Sequence, residues 1–285
     1  MKKVLGVYGN PRGHWVGNGF PVRSLFTYDQ LGAQISPFLL LDYAGPYDFA
    51  PGNETRGVGI HPHRGFETVT IVYQGELEHR DSTGAGGTIG AGDVQWMTAG
   101  AGILHEEFHT QAFVKAGGTL EMVQLWVNLP AKDKMTTPGY QTLLKQDIPR
   151  INCPEGDVRV IAGEFNQQQG AARTFSPVNV WDIAIKAQTS WRLPVPEGHT
   201  TIVVVLKGSI EISEQKVSEG HCAVMAQDSA DVLVHTEQGA TVLLLSGEPL
   251  NEPIVGYGPF VMNTQEQIRE AMLDYQSGGF GQMSV

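Results

Sequence analysis

Two histidines two residues apart, His61 and His63 in His61-Pro62-His63-Arg64-Gly65-Phe66-Glu67, are followed by a second pair with the same spacing, His105 and Glu107. Alternate side chains on an extended strand share a face, so each pair can aim two donors the same way. Two such strands facing each other across a small β-barrel would bring three imidazole nitrogens and one carboxylate to one point. A nitrogen and oxygen set without thiolate suits Fe, Mn, Ni, Co, Cu or Zn and argues against an iron–sulfur cluster. Four protein ligands on an octahedral ion leave two positions open, whereas a closed structural zinc site leaves none. Two neighbouring open positions would accept a substrate oxygen beside dioxygen or water.

A lone His-X-His is more often a pair of surface histidines. Here a second pair follows, glycines flank both, and a downstream repeat keeps the fold signal without the ligands. Glu67 is in phase with His61 and His63 if the alternation continues, and His109 is in phase with Glu107; both are candidates to support the ligands from behind. Arg64 is expected to face the other way. His14, His79, His199, His221 and His235 have no paired spacing and read as surface or hydrogen-bonded core histidines. His235-Thr236-Glu237 echoes the second pair but has no first pair to join.

The elements that must position these residues read as short strands. Val22–Phe26 is one, and Ser36–Tyr43 is an apolar run suited to a buried strand, broken at Gly45-Pro46. A strand from His61 runs through the β-branched residues Thr68–Tyr73 to Gly75. Glu76–Arg80, Val94–Met97 and Leu120–Leu129 are further strands, and a polar linker is expected over 131–145. Glu197–Gly208 lies over Arg64–Gly75, which suggests two copies of one fold. In that alignment His61 and His63 fall on Pro194 and Pro196, so the second copy carries no ligands. Thr264 and Gln267 form a capping box for a helix with Ile268, Ala271, Met272 and Tyr275 on one face, stopped by Gly278 and Gly279.

The 285 residues, 41% hydrophobic and 17% charged, can bury a core, and 35 glycines with 16 prolines fit many strands joined by turns. The net charge of −11 gives no general attraction to nucleic acid or anionic lipid. Cys153 and Cys222 fit neither a disulfide scaffold nor a CxxC motif. The N-terminus lacks the apolar core of a signal peptide, and a cytoplasmic monomer is expected.

The stretches His61–Val69 and Gly92–Glu107, with Ser36–Asp42 and Leu125–Pro130, resemble the pirin family of the cupin superfamily, densely in the N-terminal half and loosely in the C-terminal half. The resemblance implies an all-β bicupin: two jelly-roll β-barrels in tandem, 1–135 carrying the metal and 136–285 lacking the ligands and ending in the short helix. It implies one divalent ion, usually Fe(II), on His61, His63, His105 and Glu107, and that Glu67 is not a ligand. Several members of that family are similar in activity to quercetin 2,3-dioxygenases acting on a polyphenol with O2; Glu107, as the only anionic ligand, would then accept the substrate's hydroxyl proton by loosening from the ion. The alternative is a non-enzymatic, iron-dependent regulator working through protein partners; a weaker one is a metal-dependent isomerase or hydrolase using bound water.

Overall fold

The computed structural model describes residues 1–283, which form strands almost throughout, with two short α-helices and the C-terminal helix Gln265–Gln276. The chain divides into two compact units that alternate along the sequence. One comprises Met1–Pro11, Leu25–Leu39 and Gln146–Asn251; the other comprises Arg12–Ser24, Leu40–Lys145 and the chain from Glu252 onward. These are not the linear halves 1–135 and 136–285. The strand Val4–Gly9 pairs with His221–Met225, which takes the N-terminus into the unit built mainly from the second half. The C-terminal helix packs through Ile268 and Ala271 on Phe260, Met262 and Leu104, within the unit that carries His61 and His105.

The sheet that carries most of the unit with His61 and His105 has seven strands, in the order Gly139–Leu143, Val94–Thr98, Phe66–Gln74, Gly118–Asn128, Phe38–Phe49, Phe20–Thr27 and His14–Val16. A four-stranded sheet runs Gly57–His63, Ile103–His109, Glu76–Asp81, Gly86–Gly90. Side chains from the two sheets meet between them. Phe20, Val72, Leu77, Ile89, Leu120 and Met122 form an apolar cluster there, and a set of polar side chains fills the remainder.

Several elements differ from the sequence expectation for local reasons. The strand starting at Phe38 continues through Gly45-Pro46 to Phe49. The expected linker holds a strand, Gly139–Leu143, paired with Val94–Thr98. A six-residue helix, Gln111–Ala116, follows the ligand strand and is capped by Thr110, whose hydroxyl accepts from the Phe113 N–H; it is too short to show a period. The capping box of Thr264 and Gln267 is present as expected.

The other unit repeats the arrangement. Thr200–Ile212 lies between His221–Met225 and Ala240–Gly247, as Phe66–Gln74 lies between Val94–Thr98 and Gly118–Asn128. Its counterpart of the first ligand strand is Thr189–Leu193, paired with Val232–Thr236. There the buried side chains are Trp191, Leu193 and Val195, within one apolar cluster, while Pro194 and Pro196 are exposed. The sequence alignment onto the two prolines is therefore out of phase, but this interior is filled by apolar side chains. Both cysteines are free. No helix among the described residues is long and apolar enough to cross a membrane.

Candidate metal centre

The strands Gly57–His63 and Ile103–His109 pair antiparallel with His61 opposite His105. The register then slips, and Glu107 stands opposite Val58. This bulge inserts one extra residue between Val58 and His61, bending the strand locally. The rings of His61, His63 and His105 converge, with centroids 4.2 Å apart for His61 and His105 and 4.9 Å for each other pair. One ligand atom from each of the three lies within 4.8 Å of the others.

Each ring has its Nδ1 occupied on the side away from the cluster. His61 Nδ1 lies 2.8 Å from the Gly59 carbonyl oxygen, and His63 Nδ1 lies 3.4 Å from that of Pro259. A carbonyl can only accept, so both rings carry their proton on Nδ1 and leave Nε2 with a free lone pair. His105 Nδ1 faces the Nδ1 of His79 at 3.4 Å, while its Nε2 is buried with no hydrogen-bond partner. An orphaned buried nitrogen of this kind is costly unless something completes it. Burial, reinforced by the neighbouring histidines, holds the pKa values of His63 and His105 well below the usual imidazole range. Both rings are therefore neutral near pH 7 and able to ligate. The residues present fit a divalent transition-metal ion.

Glu107 is also buried, and one of its oxygens groups with donor atoms of His79 and His105 in a second potential cluster. Three donors hold its carboxylate: Thr70 Oγ1 and Gln95 Nε2 reach Oε1, and Gln124 Nε2 reaches Oε2, all at 3.2 Å. Thr70, Gln95 and Gln124 lie on three adjacent strands of the larger sheet, in register with one another. They are polar residues at core-facing positions.

His79, set aside from sequence, is the main addition. It is buried, as a hydrogen-bonded core histidine would be, but it stands beside the candidate ligands. Glu107 is its cross-strand neighbour, and Asp81 is the neighbour of His105. The signal was present as another i, i+2 pair, His79 and Asp81, in a strand.

Glu67 and His109 do not join the cluster. The phase breaks between His63 and Phe66, where Arg64 and Gly65 separate two strands. Gly65 has φ +89°, and a Cβ there would meet the Val261 carbonyl oxygen at 2.0 Å. Thr70 bonds Glu107, so the opposite face of that strand carries Glu67, Val69 and Ile71. Glu67 accepts from Thr98 Oγ1 at 2.7 Å, and burial pushes its carboxyl pKa up to about 7. His109 Nε2 lies 2.9 Å from the Gly19 carbonyl oxygen, with its ring against Phe20, Phe49 and Phe113. Burial lowers its pKa to about 4. It braces the segment leading to Phe20 and does not contact the histidine cluster.

Arg64 turns away from the centre, as expected, and fastens the C-terminal segment. Its Nε donates to the Ala101 carbonyl at 2.7 Å, its Nη2 to Asp274 at 2.8 Å, and its guanidinium lies over the Phe280 ring. The buried Lys134 donates to the carbonyls of Gly65 and Val261 and to Asn128 Oδ1. Burial lowers its pKa to about 7.

The cluster opens into a pocket of about 310 Å3, where His61, His63 and Glu107 share the wall with Phe20, Met122 and Trp126. Asp42 is also on this wall and accepts from Ser24 Oγ; the sequence reading did not single it out.

A Pseudomonas aeruginosa protein named "Putative quercetin 2,3-dioxygenase" is 60% identical, covering 98% of this chain and 99% of that protein. Human pirin is 36% identical over 87% of this chain and 83% of its own length. A crystal structure of quercetin 2,3-dioxygenase from Acinetobacter baumannii superposes with a TM-score of 0.96 at 55% identity, covering 99% of both chains. Residues 19–127 match the Pirin family and residues 180–281 match the Pirin C-terminal cupin domain. With two cupin domains, a mostly β fold and these relatives, the chain belongs to the pirin family.

Proposed function

We propose that this chain is a metal-dependent dioxygenase that cleaves a flavonol-type polyphenol with O2, using one ion held by His61, His63, His105 and Glu107. The observation that carries the reading is the mouth of the histidine cluster. A largely apolar pocket of about 310 Å3 begins at His61, His63 and Glu107. Small-molecule sites commonly have this form, with volumes of about 300–1,000 Å3 and a few convergent polar groups. A flat polyphenol would lie against Trp126 and Phe20 with its oxygens toward the histidines. The names of the two bacterial relatives agree with that substrate class.

A divalent first-row ion in this donor set supplies Lewis-acid polarisation of a substrate oxygen and, when it is Fe(II), one-electron chemistry with O2. Fe(II) is the ion we assign, and Ni, Mn, Co, Cu and Zn fit the same donors. The neutral imidazoles of His63 and His105 present lone pairs with no proton to displace. Glu107 takes the hydroxyl proton of the bound enol onto a carboxylate oxygen, while Thr70, Gln95 and Gln124 keep the carboxylate aimed. Phe20, Met122 and Trp126 exclude water from the substrate's rings.

The test is anaerobic reconstitution with each ion, followed by oxygen uptake on adding a flavonol. Uptake should scale with ion occupancy and vanish in His61→Ala. A fully loaded chain that consumes no oxygen with flavonols overturns the reading. Ion-dependent capture of a defined protein partner by that inert chain would favour the regulator.

A further inference from the structure

The ligand reading leaves a buried histidine and a buried aspartate unused. His79 Nε2 lies 3.2 Å from Asp81 Oδ2. Asp81 is itself fixed, because its Oδ1 accepts from both the backbone N–H and the hydroxyl of Thr83, at 2.8 and 2.6 Å. On its other side, His79 Nδ1 lies 3.0 Å from Gln95 Nε2 and 3.4 Å from His105 Nδ1. The Tyr140 ring stacks on the His79 ring at 4.7 Å and 15°, which sets its plane.

The hydrogen-bond roles follow from the ends inward. Tyr140 donates its hydroxyl to Gln95 Oε1, so the Gln95 amide nitrogen is the atom facing His79 and Glu107. That nitrogen donates to Glu107 Oε1 and has its second hydrogen for His79 Nδ1. An N–H pointing at His79 Nδ1 requires a lone pair there, which places the His79 proton on Nε2, toward Asp81. That single lone pair, taken by Gln95, also faces His105 Nδ1 at 3.4 Å, where a second lone pair would repel it, so the His105 nitrogen turned toward it is the protonated one. The His105 proton is then on Nδ1, and its unpartnered Nε2 carries the lone pair that faces His61 and His63.

We propose that His79, held by Asp81, is the positioning residue of the centre: it fixes the tautomer and ring orientation of His105 and, through Gln95, ties His105 to Glu107. Carboxylate–histidine pairs behind a metal-ligating imidazole orient it and raise its basicity. Here the pair acts on one candidate ligand directly and on the other through a single amide. The strand pairing explains why, since Asp81 is opposite His105 and His79 is opposite Glu107. This inference rests on His105 being a ligand through Nε2.

The test uses cobalt(II) titration of the full chain, reading affinity and the visible d–d bands, with a thermal melt on each variant. His79→Leu should weaken cobalt binding about 10–100-fold, the usual cost of losing such a partner, and shift the bands. His79→Asn, which returns an amide oxygen near the Nδ1 position, should recover most of both. Parent-like affinity and bands in a folded His79→Leu overturn the inference. So does a second cobalt equivalent per chain that His79→Leu alone removes, since His79 would then be a ligand. If His105→Ala retains cobalt, the ligand reading itself fails; if His105→Ala loses cobalt and His79→Leu does not, only the positioning role fails. Should His79→Leu not fold, 15N NMR of the parent decides directly: a neutral His105 protonated on Nε2 overturns the inference, and one protonated on Nδ1 supports it.

Discussion

The imidazole of His63 and the carbonyl oxygen of Pro259 meet at 3.4 Å, although 196 positions separate them in the chain. The contact is long for a hydrogen bond, but it does not act alone. The Val261 N–H donates to the Arg64 carbonyl, and the Arg64 guanidinium reaches Asp274 and Ala101. The C-terminal segment therefore backs the first ligand pair. Arg64→Ala removes the charge-assisted bond to the Ala101 carbonyl, worth about 1.5–3 kcal/mol, and frees the turn that follows His63. Its urea midpoint and its cobalt affinity should both fall. Asp274 is half exposed, so Asp274→Ala should cost only about 1 kcal/mol or less. Parent-like cobalt affinity in Arg64→Ala would show that the segment does not position His63.

Removing a ligand should be a different experiment from removing a histidine. His61→Ala and His105→Ala should lose most bound ion by elemental analysis after dialysis, with the barrel folded on its own apolar cluster. His235→Ala should keep parent ion content, because His235 lies in the other unit at the surface, paired with Ser190 and Glu237. Full occupancy in His61→Ala would remove His61 from the ligand set.

Glu67 gives the fold a pH dependence of its own. Burial raises its folded-state pKa from 4.5 to about 7, opposed in part by hydrogen bonding from Thr98 and Trp96. A raised pKa means that the fold favours the protonated acid. The resulting stability is fully present below about pH 4.5 and is lost as pH rises through about 7. At about 1.4 kcal/mol per pKa unit, that span is worth about 3 kcal/mol. Glu67→Gln mimics the neutral acid, so its urea midpoint should fall less than the parent's between pH 5 and pH 8. Parallel pH profiles for the two would show that Glu67 is ionised at low cost.

The convergence of His61, His63 and His105 was legible in the sequence because a strand's period of two is short and exact enough to survive without tertiary information. His61 with His63, and His105 with Glu107, share that spacing, and it is the second pair that sets the first apart from surface histidines. The same period failed for Glu67, since Arg64 and Gly65 reset the phase at a turn that only the approach of Val261 explains. His79 and Asp81 show the same period, but their place beside Glu107 and His105 depends on cross-strand register. The compact units could not be read from a linear alignment. The strand at Val4–Gly9 finds its partner at His221–Met225, and nothing in a local window announces so distant a pairing. Thr70, Gln95 and Gln124 show as polar residues within apolar strands, but their convergence on Glu107 depends on cross-strand register.

That convergence sharpens what Glu107→Gln should do. The parent carboxylate accepts from two amide N–H groups and shares the single Thr70 hydroxyl hydrogen with Gln124 Oε1. A glutamine keeps one acceptor oxygen and turns its own NH2 toward one of those donors. Relief by flipping Gln124 would give up the bond its Oε1 accepts from Thr70, and flipping Gln95 would break the contacts to Tyr140 and His79. The variant should therefore lose about 1–3 kcal/mol of stability for a buried donor left without a partner. It should bind the ion more weakly, having lost the charge, yet load at excess ion through the three imidazoles. Its flavonol-dependent oxygen uptake per bound ion should fall about 10²–10⁴-fold, the usual contribution of a positioned base. Parent-like turnover in the loaded variant would remove the proton-accepting role and leave Glu107 as a ligand only. Glu67→Gln, on the far face of its strand, should turn over like the parent in the same assay.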